Sequence, residues 1–261
     1  MNQPMATDYN IIFGINPILE KLRASSCDIL EILIADGAGR TPPREISQEA
    51  ARLGVTLVHV HPKSLDRLVG GQRHQGVVAR VEAYAYLPFD QLLKEVAASS
   101  AAGRILILDG ITDPRNFGAL LRTAEAVQVS HVIIPKDRSV GVTPVVTKAS
   151  AGAVHHVKIS KVTNLRRAIA ELKEHGFWTV GLAGGNTETI YDRVYPERLA
   201  IVLGSEGTGV RPVNLRECDF AASIPMLGKI ESLNVAVAGA VFLYELLRQD
   251  RSVDKHLPNR Y

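Results

Sequence analysis

A repeated alternation of short apolar runs and amphipathic segments, which begins at residue 104, constrains the fold of this chain more than any other feature. The run ILILDG (105–110) is apolar at nearly every position, which is typical of a strand that a parallel sheet buries on both faces. Further strands are predicted at 131–135, 156–160, 177–183, 199–204 and 221–226. Helices are predicted near 116–128, 143–152, 165–172 and 232–248. The pattern therefore predicts an α/β domain with a mostly parallel sheet and helices on both of its faces.

A smaller α/β pattern occupies the first third of the chain. It predicts strands at 29–36, 55–61 and 76–84 and helices at 15–22, 43–54 and 62–71. Residues 1–9 are predicted to be a disordered tail. We expect a first domain over 10–84, a linker over 85–103 and a second domain over 104–249.

The composition excludes several broad classes of protein. Of the 261 residues, 46% are apolar and 22% are charged, which excludes collagen-like and wholly disordered chains. No apolar run reaches the roughly 20 residues that a membrane-spanning helix needs, and the first residues do not resemble a secretory signal. Cys27 and Cys218 are too few for a disulfide framework or a cysteine-rich zinc site. We expect a cytoplasmic protein with no membrane segment and no metal.

Several common enzyme motifs are missing from the sequence. It contains no GxxxxGK[ST], HExxH or GxSxG motif, and no GxGxxG follows the first strand of either domain. The neighbours His155 and His156 would point to opposite faces of a strand, and His59 and His61 lack a third ligand. The sequence therefore disfavours a metal site and a dinucleotide-dependent dehydrogenase.

Two segments at predicted strand ends do not resemble ordinary core. The first, DPRNFGALLRTA (113–124), follows the buried strand, where open α/β sheets bind ligands. Asn116, together with the Asp113–Pro114 turn, is predicted to start its helix. The second, VLGSEGTG (202–209), is a glycine-rich turn that lets the backbone approach a ligand closely. Its Glu206 would repel a phosphate and suits a cationic or hydroxyl-bearing ligand.

A third segment, IPMLGKIESLNVA (224–236), leads from a strand end into the last predicted helix. Ser232 or Asn234 is suited to cap that helix, because both side chains accept hydrogen bonds from backbone N–H groups. Capping explains one of these residues and leaves the other without a structural reason.

Taken in order, these segments closely resemble the three motifs of the SpoU family, also called the TrmH family, of RNA ribose 2′-O-methyltransferases. The matching stretches are NFGALLRTA (116–124), VLGSEGTG (202–209) and IPMLGKIESLNVAVA (224–238). In the first domain, FGINPILEKL (13–22) and HQGVVA (74–79) resemble the family's substrate-binding domain. The resemblance covers almost the whole chain. It is closest to the RlmB-type branch, whose members methylate a guanosine ribose in 23S ribosomal RNA of the large subunit.

The resemblance implies a fold that the periodicity does not reveal. The second domain would be a SPOUT-type α/β domain with a deep trefoil knot near its C-terminal end. The small first domain would be an α/β RNA-binding domain like that of a ribosomal protein. The family forms homodimers that pack near the last helix, which agrees with the apolar character of residues 233–247.

The resemblance also implies S-adenosyl-L-methionine as the methyl donor, contacted in the knot largely by backbone atoms. The family's contact positions fall on Gly204, Ile224 and Leu233. The neighbours that would line the pocket are Leu203, Glu206, Gly207, Met226, Ser232 and Asn234.

The family assigns activation of the ribose hydroxyl to the motif arginine, here Arg122. An arginine keeps its proton at neutral pH, so we expect Arg122 to bind the target phosphate or ribose and to stabilise oxyanion charge. Asn116 would orient the hydroxyl or Arg122, and Glu206 would position Arg122 through a charge-assisted hydrogen bond. Asn234 would hold the ribose or the motif backbone. The identity of the proton acceptor stays open.

Charge and composition bear on the RNA partner. The net charge is +3, and residues 104–261 carry +4 while residues 1–82 are neutral. Arg115, Lys148 and Arg211 are candidates to bind RNA phosphates. Because only 5% of the residues are aromatic, we expect recognition of folded RNA shape rather than extensive base stacking.

Two alternatives remain at this stage. The same motifs would serve an enzyme that methylates transfer RNA or another ribosomal RNA site, as a resistance enzyme does. A non-catalytic RNA-binding or ribosome-assembly protein is disfavoured, because Asn116, Arg122 and Gly204 are all intact.

Overall fold

The computed structural model of the protein describes residues 9–23, 28–37, 44–98, 103–185 and 188–253, with side chains up to residue 250. The chain divides into two compact units, Met1–Ala85 and Tyr86–Tyr261. Apart from Tyr9, the predicted tail lies outside the described residues, and so does Cys27.

The first unit is a four-stranded sheet with helices on both faces. Its strands are β1 (Tyr9–Phe13), β2 (Ile29–Ala35), β3 (Thr56–Val60) and β4 (Val77–Glu82). Its helices are α1 (Ile15–Arg23), α2 (Arg44–Leu53) and α3 (Pro62–Leu68). The strand order is β1-β4-β2-β3, with β2 and β3 parallel and β4 antiparallel to both of its neighbours. Helices α1 and α2 pack on one face, where Ile18, Leu22 and Ile46 are fully buried, and α3 covers the other through Leu65.

The second unit contains the predicted parallel α/β sheet. Its strands are β5 (Gly103–Asp109), β6 (His131–Pro135), β7 (Lys158–Val162), β8 (Trp178–Leu182), β9 (Arg198–Gly204) and β10 (Phe220–Ala222). Its helices are α4 (Phe89–Ala98), α5 (Pro114–Ala126), α6 (Pro144–Ala149), α7 (Leu165–Glu174), α8 (Pro212–Leu215) and α9 (Val235–Val253). All six strands are parallel, in the order β10-β8-β9-β5-β6-β7.

Two local expectations differ from the structure. Strand β1 was not predicted, because its five residues are too short to show a clear alternation. Strand β10 ends at Ala222 instead of continuing to residue 226. Pro225 lacks a backbone N–H and cannot continue a ladder, so the chain leaves the sheet there.

The stretch expected to be a linker, residues 85–103, contains a helix that belongs to the second unit. Helix α4 buries Leu92, Leu93 and Val96 in the same apolar cluster as Ile105 of β5 and Ile169 of α7. These contacts are distant in sequence, so the local pattern of residues 85–103 did not predict them.

Helix α9 is buried on one side only, although its sequence is apolar nearly all round. Phe242, Leu243 and Leu246 are buried, whereas Val237 and Tyr244 are each 49% exposed. Gly239 permits the close approach of α9 to the rest of the unit. A Cβ atom there would lie 2.5 Å from Leu120 Cδ2 and 2.7 Å from Leu203 Cδ1.

The part of the chain that the structure describes contains neither a membrane-spanning helix nor a cluster of metal ligands. Within the described ranges, no helix is long and apolar enough to cross a membrane. The same ranges contain no group of three or more His, Cys, Asp or Glu residues able to hold a metal ion. Burial raises the pKa of the Cys218 thiol to about 12, so this cysteine is not a ready thiolate.

Replacing Gly118 tests the contact between α5 and α6. A Cβ atom at Gly118 would lie 2.5 Å from Ala149 Cβ and 3.0 Å from the backbone of Ala149. Overpacking of this kind costs about 1–3 kcal/mol, which we expect to exceed the gain of about 1 kcal/mol that alanine brings to a helix. Gly118→Ala should therefore lower the free energy of unfolding, measured in urea by the fluorescence of Trp178, the chain's single tryptophan.

The matched control is Gly184→Ala, because a Cβ atom there would meet nothing within 4 Å. We expect the urea midpoint of unfolding of Gly184→Ala to stay close to that of the parent. An unchanged or raised midpoint for Gly118→Ala would mean that the α5–α6 contact opens without cost.

Candidate functional site

The first two motifs meet at the carboxyl ends of two adjacent central strands. Strand β5 pairs with β9 in parallel, and Asp109 lies opposite Gly204 at the end of both. Helix α5 begins just after β5. Its cap is Asp113, whose side chain accepts a hydrogen bond from Arg115 N at 2.7 Å. The expectation that Asn116 caps α5 is therefore wrong. Asn116 lies inside the first turn, and its amide is available for other contacts.

The glycine-rich turn after β9 folds back on itself at Gly204. A Cβ atom at Gly204 would lie 1.8 Å from Gly209 C and 2.0 Å from Val210 N, so only glycine fits there. The turn closes through a hydrogen bond from Gly209 N to Ser205 O at 2.9 Å, and Gly209 adopts a positive φ of 63°. The returning backbone therefore lies directly against the end of β9.

A hydrogen-bond chain joins all three motifs. Asn234 Nδ2 donates to Asn116 Oδ1 at 3.1 Å, and Asn116 Nδ2 donates to Glu206 Oε1. These residues are 118 and 90 positions apart in the sequence. The fold therefore brings Asn116, Glu206 and Asn234 together as side chains in contact.

The cap of α9 fixes the direction of this chain. Asn234 Oδ1 accepts from Ala236 N at 2.9 Å and from Val237 N at 3.4 Å. Because that oxygen serves the helix, only the NH₂ group of Asn234 can face Asn116. Asn116 must then present its oxygen to Asn234 and its NH₂ group to Glu206. Of the two predicted caps, Asn234 fills the position, and Ser232 lies exposed before it.

Asp109 is a buried carboxylate that the sequence analysis did not single out. Its side chain has no exposed surface. It accepts hydrogen bonds from Arg211 N at 2.9 Å, Arg211 Nε at 2.6 Å and Asn214 Nδ2 at 2.8 Å. These contacts tie the segment after the glycine-rich turn to the end of β5. A charged residue that ends an apolar strand next to the first motif was the available signal.

The same contacts change the interpretation of Arg211. It was expected to bind RNA phosphates, but its guanidinium forms an ion pair with Asp109 at 2.5 Å. The side chain remains 42% exposed, so one side is occupied by protein and the other faces solvent. Arg115 is exposed near the start of α5.

Arg122 does not join the hydrogen-bond chain. It lies six residues beyond Asn116 on α5, which places it on a different side of the helix and about 9 Å further along. Glu206 was expected to contact it, but Glu206 contacts Asn116 instead. Arg122 is exposed, and its guanidinium forms no hydrogen bond or ion pair with any residue that the structure describes.

The residues expected to hold a cofactor differ in burial. Leu203 is 1% exposed and its side chain packs toward α9, so it offers only backbone to a ligand. Ile224 and Leu233 are half-buried, and Gly207 lies in open space. Met226 is 37% exposed. Two apolar neighbours are exposed further, Leu227 at 100% and Ile230 at 72%.

This arrangement combines exposed apolar side chains, open glycine backbone and a few fixed polar groups. Such a combination is typical of a site for a small organic ligand. The amide chain supplies oriented donors and acceptors beside it, and Glu206 keeps a carboxylate oxygen that Asn116 does not occupy.

Two family models match the chain. The model described as the SpoU rRNA Methylase family matches residues 103–244. The model described as RNA 2′-O ribose methyltransferase substrate binding matches residues 11–87. The first model therefore spans more than half of the chain and includes all residues of the hydrogen-bond chain and of the turn described above.

Two related proteins match this sequence over almost the whole chain. The Bacillus subtilis (strain 168) protein named Putative TrmH family tRNA/rRNA methyltransferase YacO is 38% identical over 249 residues, 95% of this chain and 99% of its own. The Haemophilus influenzae 23S rRNA (guanosine-2′-O-)-methyltransferase RlmB is 40% identical over 239 residues, 91% of this chain and 97% of its own.

A solved structure shares the fold. It is the SpoU methyltransferase AviRb from Streptomyces viridochromogenes in complex with the cofactor AdoMet, with a TM-score of 0.64 and 21% identity. The match covers 94% of this chain and 91% of that one.

A double-mutant cycle tests whether Asp109 and Arg211 act as one unit. We expect Asp109→Asn and Arg211→Gln each to lower the free energy of unfolding, and the double variant to lose less than their sum. Residues in contact within one hydrogen-bonded network couple by about 0.5–3 kcal/mol. Urea unfolding of the three variants and the parent gives this coupling energy.

The control pair is Arg166 and Glu217, which are 3.0 Å apart with side chains 62% and 25% exposed. Exposed pairs contribute about 0–1 kcal/mol, so their coupling should be smaller. Equal coupling in the two pairs would contradict the role assigned to Asp109.

Proposed function

The chain belongs to the SpoU family of RNA methyltransferases, and from this we propose that it methylates the 2′-hydroxyl of a guanosine ribose in 23S ribosomal RNA. The observation that carries the proposal is the meeting of the three motifs in one hydrogen-bonded site, Asn234–Asn116–Glu206. Similarity to the RlmB of Haemophilus influenzae over 97% of that protein supports the substrate and the position methylated.

S-adenosylmethionine is the cofactor of this family, and the residues present fit it. Its adenine ring and methylene groups need apolar contacts, which the exposed Met226 and the half-buried Ile224 and Leu233 offer. Its polar groups need backbone donors and acceptors, which the open turn at Gly207 supplies. Leu203 would contribute backbone, and Ser232 an exposed hydroxyl. When bound, the cofactor supplies an electrophilic methyl group on a sulfonium, which needs no metal for activation.

The protein's contribution is then mainly orientation. The ribose oxygen must lie in line with the methyl group, and holding two reactants in such a geometry removes a large entropic part of the barrier. The side-chain amide of Asn116 is hydrogen-bonded to both Asn234 and Glu206 and cannot rotate freely. Its remaining N–H and lone pair therefore point in fixed directions. The unoccupied Glu206 oxygen is placed to accept a hydrogen bond from a ribose hydroxyl.

Arg122 is proposed to bind the substrate rather than the protein. Its exposed guanidinium, with no partner in the described chain, is suited to an RNA phosphate or to the charge that develops on the ribose oxygen.

The first unit is proposed to hold the RNA, as a ribosomal-protein-like domain. Its match to a substrate-binding model over residues 11–87 supports this role. A ribosomal RNA substrate would place the enzyme in the cytoplasm, as the sequence led us to expect.

Two further features are proposed from the family. The trefoil knot would involve the segment after β9, since the chain leaves the edge strand β10 and then returns to pack α9 on α5 and β9. A homodimer would cover the outer side of α9. Val237, Val241 and Tyr244 lie on one side of the helix at the spacing of successive turns, and they are only partly buried.

Transfer of labelled methyl groups from S-adenosylmethionine tests the reaction and the substrate. We expect label in unmodified 23S ribosomal RNA, at one guanosine whose 3′ linkage becomes resistant to alkali. Arg122→Ala should lose at least about a hundredfold in rate, in the range seen when a charge-stabilising donor is removed. Its exposure predicts little change in stability.

Label found only in transfer RNA would support the methylation reaction but contradict the proposed substrate. Transfer RNA is included because the Bacillus subtilis relative is named a tRNA/rRNA methyltransferase. No label in either RNA, with no binding of S-adenosylmethionine, would contradict the proposal.

A second test separates the two tasks of Asn234. Asn234→Asp keeps an oxygen that caps α9, because aspartate and asparagine are comparable caps. It removes the NH₂ group that fixes Asn116. We expect unchanged stability and a loss in kcat of about tenfold or more, the equivalent of one lost hydrogen bond.

Asn164→Asp is the matched control. Asn164 caps α7 by accepting from Arg167 N at 3.1 Å, and it has no place in the three motifs. Equal activity in the two variants would show that the amide chain is not required for catalysis.

A further inference from the structure

The connection between β3 and β4 in the first unit carries a group of unpaired positive charges. Lys63, Arg67 and Arg73 are exposed, and their side chains form no ion pair or hydrogen bond within the described residues. The connection contains one carboxylate, Asp66. We call these three cations the basic edge.

Four other cations of the first unit are paired with carboxylates, and among the described residues Arg44, at the start of α2, is a further exposed cation without such a partner. Lys21 pairs with Asp28 at 2.7 Å, Arg23 with Glu45 at 2.7 Å and Arg52 with Glu49 at 2.8 Å. Arg80 pairs with Glu31 across two strands. Residues 1–82 have no net charge, so the basic edge is a local excess that the composition conceals.

The connection starts and ends at the same edge of the sheet. Asp36 N donates to Val60 O at 2.8 Å, and Ala35 N donates to Gly76 O at 2.9 Å, so the ends of β2 and β3 and the start of β4 lie side by side. The two carboxylates at this edge are engaged by histidines. Asp36 contacts His59 at 3.2 Å, and Asp66 contacts His74 at 3.0 Å.

The end of the connection is held in place before any ligand arrives. Gly76 N donates to His74 Nδ1 at 3.1 Å, which leaves His74 Nε2 to donate to Asp66. Gln75 Oε1 accepts from Ile15 N at 3.0 Å and rests against Gly14. Arg73 is therefore attached to a fixed turn, which reduces the entropy lost on binding.

The geometry points to the basic edge as the surface of the first unit that binds the phosphate backbone of the RNA substrate. This inference rests on the proposed function in taking RNA as the substrate. Unpaired, exposed cations release counterions from a polyanion on binding, whereas cations already paired with carboxylates add little. Residues 61–76 contain no Phe, Tyr or Trp, and the three cations of the basic edge are suited to phosphates, so the edge would position RNA rather than read its bases.

The test compares two variants with the same change in net charge. Arg67→Gln/Arg73→Gln removes two cations of the basic edge, and Arg23→Gln/Arg52→Gln removes two exposed cations that are paired with carboxylates. Binding of unmodified 23S ribosomal RNA, transcribed in vitro, is measured with the full chain over a series of salt concentrations and without a methyl donor.

We expect the edge variant to reduce the slope of log K against log salt by about 1.5, since each phosphate contact contributes about 0.7–0.9. The control variant should keep the slope of the parent. Both variants should keep the parent's melting temperature and its affinity for S-adenosylmethionine, because the substituted side chains are exposed.

Equal slopes for the edge variant and the parent would overturn the inference, and so would equal losses in the two variants. Methylation is scored separately. An edge-dependent slope without methylation of 23S RNA would support the basic edge and contradict the proposed function. Methylation of 23S RNA together with an unchanged slope for the edge variant would support the proposed function and contradict the role of the basic edge.

Discussion

The N-terminal cap of α9 is the interaction on which the site depends. A backbone N–H at a helix start needs an acceptor, and Asn234 Oδ1 supplies it. That requirement fixes the amide of Asn234, which fixes the amide of Asn116, which directs an N–H toward Glu206. A single helix-capping contact thus sets the side-chain orientations in all three motifs, which lie far apart in the sequence. The turn at Gly204 and the ion pair of Asp109 hold the remaining backbone in place around this chain.

Sequence patterns predicted the parallel sheet of the second unit, because most of its strands are short, nearly continuous apolar runs that alternate with helical patterns. They failed where a contact between distant residues decides the structure. Helix α4 belongs to the core of the second unit only through α7 and β5. The cap of α5 fell to Asp113 rather than Asn116, since two suitable residues stood near the helix start and only the fold could choose between them.

The site residues show the same limit. Motif resemblance selected Asn116, Glu206 and Asn234, and the structure brings these side chains into contact. The partner of each residue could not be deduced, because it depends on β9 lying next to β5. Glu206 was therefore assigned to Arg122, and Arg211 to RNA. Asp109 was overlooked because a polar residue at a strand end is common, and its burial becomes visible only when Arg211 and Asn214 are in place.

The separation of Asn116 from Asn234 has a consequence for the chain during its synthesis. The two residues are 118 positions apart, and ribosomes add about 5–20 residues per second. Helix α5 is therefore complete for roughly ten seconds before α9 exists, and during that time the amide of Asn116 has no neighbour to set its direction. All strands of the sheet are therefore synthesised before Asn234, the last residue of the hydrogen-bond chain. Translation itself thus delays activity until the segment that returns to the centre of the sheet has been made.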